Sequence, residues 1–125
     1  MIRVAICDDD IVFTTRVEEL ILDFGRAYSF EICIYFDGYT LLESMRQGNC
    51  FDIIFMDPPY QAGLEEPVLG ALSRADYVTG DTLIIMEAEL GRDFSFAEDY
   101  GFEVVREKKY KTNKHVFMKL RKTEQ

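Results

Sequence analysis

Apolar and polar positions along the chain fall into two alternating patterns. Ile2–Cys7 is a continuous apolar run, which predicts a central strand buried on both faces. After Asp10, an N-cap residue, apolar Val12, Phe13, Val17, Leu20, Ile21 and Phe24 recur at helical spacing up to Gly25. Phe30–Tyr35 reads as a second strand, 39–47 as a helix stopped at Gly48, and 52–57 (DIIFMD) as a third strand. Pro58 and Pro59 must leave that strand, because neither has an amide hydrogen to donate. Residues 64–75 predict a third helix with Pro67 in its first turn, 82–86 a fourth strand, and 93–100 a short helix or irregular turn. Residues 102–110 and 114–120 are both strand-like, with only Lys111, Thr112 and Asn113 between them. So short a connection cannot carry a parallel crossover, so the two should form an antiparallel hairpin.

This alternation predicts one α/β domain over residues 1–125, with a doubly wound, mostly parallel sheet, Rossmann-like and flavodoxin-like in part. The expected strand order is 2-1-3-4, followed by the hairpin with its last strand inside, antiparallel to strand four. Ligands of open parallel sheets bind at the carboxyl ends of the strands. Asp8, Asp9, Asp10, Asp57 and Glu87 all fall there.

Composition narrows the chemistry. A net charge of −9 argues against an electrostatic grip on nucleic acid by the chain as a whole. The cations collect after Val105, at Arg106, Lys108, Lys109, Lys111, Lys114, Lys119, Arg121 and Lys122, where a solvated final hairpin accounts for them. Three cysteines (Cys7, Cys33, Cys50) share no metal-ligand spacing, and His115 is the only histidine, so no metal site built on several histidines can be assembled. With no signal peptide and no membrane-length apolar run, a reducing cytoplasm is the expected compartment, without membrane contact.

Three carboxylates converging at neighbouring strand ends repel unless they are protonated or share a cation, and oxygen-only ligands suit Mg²⁺. The sequences AICDDD, YFDGYTLLESM and FDIIFMD resemble the first half of a response-regulator receiver domain, of the kind preceding LytTR-type DNA-binding domains. The resemblance covers residues 1–57. It implies that Asp8, Asp9, Asp57 and the Pro59 carbonyl hold Mg²⁺, and that Asp57 is a phosphoacceptor nucleophile served by a histidine kinase or small phosphodonor. After Asp57 the receiver pattern is lost. Glu87 and Ala88 stand where a Ser or Thr belongs, and the chain ends in a hairpin where a receiver has a long helix.

From 52 to 121 a second resemblance holds. FMDPPYQAGLEEPVLGAL, DTLIIMEAE and YGFEVVREKKYKTNKHVFMKL are similar to the carboxyl half of methyltransferases that act on exocyclic amino groups of nucleobases, closest to those methylating guanine N2 in ribosomal RNA. This implies that the Asp57 carboxylate and the Pro58 carbonyl accept the target amine, that Tyr60 stacks on the flipped base, and that ribosomal RNA is the partner. The family's glycine-rich turn after strand one is replaced by Asp8-Asp9-Asp10, although Asp37 could imitate its ribose-binding acid. S-adenosylmethionine is therefore not expected as a cofactor. The expectation is a chimera, a receiver-like half (1–57) joined to a methyltransferase-like half (58–125), with neither parent activity complete and no evolved partner. A residual Mg²⁺ and phosphoacceptor site at Asp57 is expected, and apolar surface at the join could drive homodimer formation. The alternative is an S-adenosylmethionine-dependent amino-methyltransferase of ribosomal RNA. The aromatics Phe94, Phe96, Tyr100 and Phe102 suggest a short helix packed on the sheet before they suggest a base-stacking surface.

Overall fold

A computed structural model of the chain describes residues 2–8, 10–24, 29–48, 50–57, 65–75 and 78–121. Six strands form one sheet: β1 (Ile2–Cys7), β2 (Phe30–Tyr35), β3 (Ile53–Met56), β4 (Leu83–Glu89), β5 (Phe102–Lys109) and β6 (Asn113–Leu120). The sheet order is β2-β1-β3-β4-β6-β5, parallel as far as β4 and antiparallel from β4 through the hairpin. The expected order and the expected inner position of the last strand both hold. Only an antiparallel β6 can follow a tight turn and still pair with β4, which leaves β5 as the edge.

Among the described residues, three helices fill the crossovers, α1 (Ile11–Phe24), α2 (Gly38–Arg46) and α3 (Glu65–Ser73), and a 3-10 helix spans Ser95–Tyr100. Helix α2 starts where Asp37 Oδ1 accepts both the Thr40 amide, at 2.7 Å, and the Thr40 hydroxyl, at 2.8 Å, satisfying an amide with no partner inside the helix. It ends before Gly48, whose φ of +97° suits a residue without Cβ. Pro67 is tolerated at the third position of α3 because first-turn amides have no helical acceptor.

The two faces of the sheet are covered unequally. On one, Leu41 and Met45 of α2, Leu69 and Leu72 of α3, and Phe94 and Ala97 pack against Ile54, Met56, Ile84, Met86, Val116, Met118 and Phe102 to form the core. Phe94 and Phe102 are buried, and Tyr100 donates to Glu66 Oε1 at 2.9 Å, tying the 3-10 helix to α3. These aromatics are packing residues, as expected. Strand residues of the opposite parity face α1, and between them lies an open cavity of about 510 Å³ lined by Val4, Ile6, Ile53, Phe55, Ile85 and α1 residues Val17 and Ile21. Cys7, Cys33 and Cys50 form no disulfide among the described residues. No helix among the described residues is long and apolar enough to cross a membrane.

Candidate functional site

Asp8 follows β1, Asp57 follows β3, and Glu87 lies near the end of β4. All three belong to the parity of the α1 face, and the registers Cys7↔Met56 and Met56↔Met86 bring them side by side at the carboxyl edge. The predicted convergence of acids is therefore present. Glu87 sits inside β4, which runs three residues beyond the expected 82–86.

Asp8 is 3% exposed, and its Oδ1 accepts the Asp10 amide at 3.0 Å where α1 begins. The turn after β1 is thus braced by a side-chain acceptor. Asp57 is half-buried and hydrogen-bonded to both Glu87 and Asp8, and its carboxyl is pushed up to about 8. Burial is the largest cause, followed by repulsion from Glu87 and then from Asp8. At neutral pH Asp57 therefore keeps its proton.

Strand β6 completes the site with two residues that motif reading missed. Asn113 Nδ2 donates to Glu87 Oε1 at 2.6 Å, and His115 Nε2 lies 3.3 Å from the same oxygen. The His115 ring meets Phe55 edge-on at 5.3 Å and Tyr110 at 4.8 Å. The signal was available in principle, since the hairpin's inner strand was expected beside strand four. The register that sets His115 opposite Glu87 is fixed across distant segments and cannot be read from local pattern.

Asp9, Pro58, Pro59 and Tyr60, expected in the metal and substrate sites, lie outside the described residues. Asp37 is at the carboxyl end of β2 as expected, with Oδ1 engaged in capping α2. Lys114, expected in a solvated hairpin, is 4% exposed. Its ammonium donates to the Arg92 carbonyl at 2.6 Å and to Glu107 Oε1 at 3.0 Å.

Among solved structures, the chain is similar to a candidate methylase from Haemophilus influenzae, with 18% identity and a TM-score of 0.58 over 96% of this chain and 73% of that one. It is similar to the candidate methyltransferase yhhF of Escherichia coli, with 17% identity and a TM-score of 0.57 over 95% of this chain and 63% of that one. A candidate methyltransferase complexed with SAH is 10% identical, with a TM-score of 0.59 over 94% of this chain and 44% of that one. At these identities the likeness establishes the fold. No curated protein matches the chain significantly.

The cofactor expectation is overturned. Mg²⁺ at Asp8, Asp9, Asp57 and Pro59 has no support: no cluster among the described residues, which include Asp8 and Asp57, has the make-up of a metal site. The dismissal of S-adenosylmethionine fails against a structural neighbour holding its demethylated product. The donor set fits the positive part of that cofactor, since Asp8, Asp57 and Glu87 offer acceptors to a sulfonium or ammonium group. The receiver half, with its phosphoacceptor role for Asp57 and its kinase partner, finds no support either. One family match runs over residues 6–119, on both sides of Asp57 with no change of family there. The chain belongs to the family described as conserved hypothetical protein 95.

Proposed function

We propose that this chain is an S-adenosylmethionine-dependent methyltransferase that modifies an exocyclic amino group of a nucleic-acid base, with ribosomal RNA the substrate its DPPY segment favours. The observation that carries the reading is Asp57 itself. It follows a central parallel strand at the carboxyl edge, half-buried beside Glu87 and Asp8, where burial and their charges push its carboxyl up to about 8. So held, Asp57 keeps acceptor capacity for an amine N–H, and the Pro58 carbonyl and Tyr60 ring are assigned the second hydrogen bond and the stacking face. When bound, S-adenosylmethionine supplies a methyl group activated by its positively charged sulfur. Asp8 is assigned to the cofactor's positive groups, and Asp37, at the end of β2, to its ribose hydroxyls.

The nitrogen that gains a methyl group must shed one proton. Asp57 is hydrogen-bonded to Glu87, and Glu87 lies 3.3 Å from His115, whose side chain is 21% exposed. These three groups form a chain across β3, β4 and β6, from the acceptor toward solvent.

A second reading, binding without transfer, draws on Asp8-Asp9-Asp10 standing where methyltransferases of this kind carry glycine. Methyl transfer from labelled S-adenosylmethionine to ribosomal RNA, compared between wild type and Asp57→Ala, separates the two. Transfer abolished by the substitution supports the proposal. Cofactor binding with no transfer to any RNA leaves the second reading.

A further inference from the structure

The chain carries 14 Lys and Arg against 23 Asp and Glu, yet residues 106–121 hold seven of those cations and one acid, Glu107. That acid is spent on buried Lys114. Arg121 lies 3.8 Å from Glu98, and Lys119 is paired across the ladder with Glu103. Arg106, Lys108, Lys109 and Lys111 remain, all exposed and in no ion pair among the described residues.

Their placement depends on one irregularity. Val104 pairs with Met118, but the register then shifts, so that Arg106 faces Phe117 and Lys108 faces His115. An unshifted ladder would set Val105 opposite Phe117 and Glu107 opposite His115. The bulge therefore exchanges a valine and a glutamate for two cations on the face shared with Glu87 and His115, a re-aiming that bulges commonly perform beside active sites. The Arg106 guanidinium lies over the Phe117 ring at 5.7 Å, and the Lys108 ammonium over the Tyr110 ring at 5.4 Å. Tyr110 is 41% exposed, steadied by the edge of His115 at 4.8 Å and by its backbone amide, which donates a hydrogen bond to the Asn113 carbonyl at 2.8 Å. Because β6 begins opposite Glu89, the tip stands at the same sheet edge as Asp8 and Asp57.

We propose that the tip of the β5–β6 hairpin is a single-stranded nucleic-acid clamp. Arg106, Lys108, Lys109 and Lys111 neutralise backbone phosphates, and Tyr110 stacks on a base neighbouring the one presented to Asp57. Exposed cations interleaved with an immobilised aromatic ring are what a strand of phosphates and flat bases requires. A purely acidic polypeptide would engage the lysines and leave the ring unused. The clamp rests on the methyltransferase reading only for the base given to Asp57.

The test is binding of a fluorescent single-stranded RNA of about 16 nucleotides at several salt concentrations. In the Lys108→Ala/Lys109→Ala/Lys111→Ala variant, the log–log salt slope should fall by about 2, some 0.7 for each phosphate no longer neutralised. Tyr110→Ala should weaken binding about tenfold with the slope unchanged, which a folding defect would not produce. Arg16→Ala, on an exposed part of α1, should alter neither. An unchanged slope in the triple variant, or displacement of the RNA by polyglutamate as effective as by unlabelled RNA, overturns the clamp. S-adenosylmethionine binding is measured on the same proteins. Cofactor binding without RNA binding overturns the clamp and leaves the transfer reading, whereas RNA binding without cofactor binding does the reverse.

Discussion

Glu87 and His115 face each other across the β4–β6 ladder, with His115 Nε2 3.3 Å from Glu87 Oε1. The pairing joins a hairpin residue to the carboxylate that most strongly repels Asp57 after burial is counted. Glu87→Gln removes that charge and leaves the burial. The Asp57 midpoint, followed by its side-chain carboxyl carbon in NMR across pH, should fall from about 8 yet stay above an ordinary aspartate's. An unmoved midpoint would show that Glu87 does not set the protonation of Asp57.

The same shift fixes how stability depends on pH. Asp57 titrates near 3.8 when unfolded and near 8 when folded, so across that interval the native state holds the extra proton. Stability is therefore lost as pH rises through the interval. Asp57→Asn removes the titration and keeps a donor toward Asp8 and Glu87. Urea unfolding at alkaline pH should find the variant more stable by about 1–2 kcal/mol, a figure discounted for the half-exposed carboxyl. The advantage should vanish below the unfolded midpoint. A constant difference at all pH values would contradict the raised Asp57 carboxyl.

Asp37 is given two tasks, and they separate by substitution. Asp37→Asn keeps a good cap for α2 and should leave stability within about 0.5 kcal/mol, whereas Asp37→Ala should cost about 1 kcal/mol. Both lose the carboxylate, so both should weaken S-adenosylmethionine binding about tenfold. Binding that falls only with stability would leave Asp37 a cap alone.

Lys114 and Glu107 should respond unequally. Lys114→Met removes the buried ammonium and keeps an apolar stem against Phe94, which should cost about 1 kcal/mol. Glu107→Ala leaves that ammonium buried with only the Arg92 carbonyl, and should cost about 2–3 kcal/mol. Denaturant midpoints of the two variants check the order, and equal losses would show the ion pair to be incidental.

The fold was readable because its signals are local. Ile2–Cys7 and the middle of DIIFMD are mostly apolar, as strands covered on both sides must be, and Lys111–Asn113 is too short for anything but a hairpin. The acids at 8, 57 and 87 were placed correctly for the same reason. What they hold was misread. Three converging carboxylates suggest a cation from sequence, whereas burial of Asp57 between Glu87 and Asp8 retains a proton. The supposed join at Asp57 arose because a strand ending in Asp suits both resembling families, and Asp8-Asp9-Asp10 imitates a receiver's opening. His115, Asn113 and the bulge that sets Arg106 on the face of Glu87 and His115 depend on ladder register, which local spacing does not encode.

Methyl transfer by this chain requires a methyl-donor site beside Asp8 and Asp57. The most direct test is titration calorimetry of the full chain with S-adenosylmethionine. One molecule should bind per chain with micromolar affinity, and Asp8→Ala should weaken it at least tenfold. No heat of binding at millimolar cofactor, from protein that unfolds cooperatively, would contradict the account.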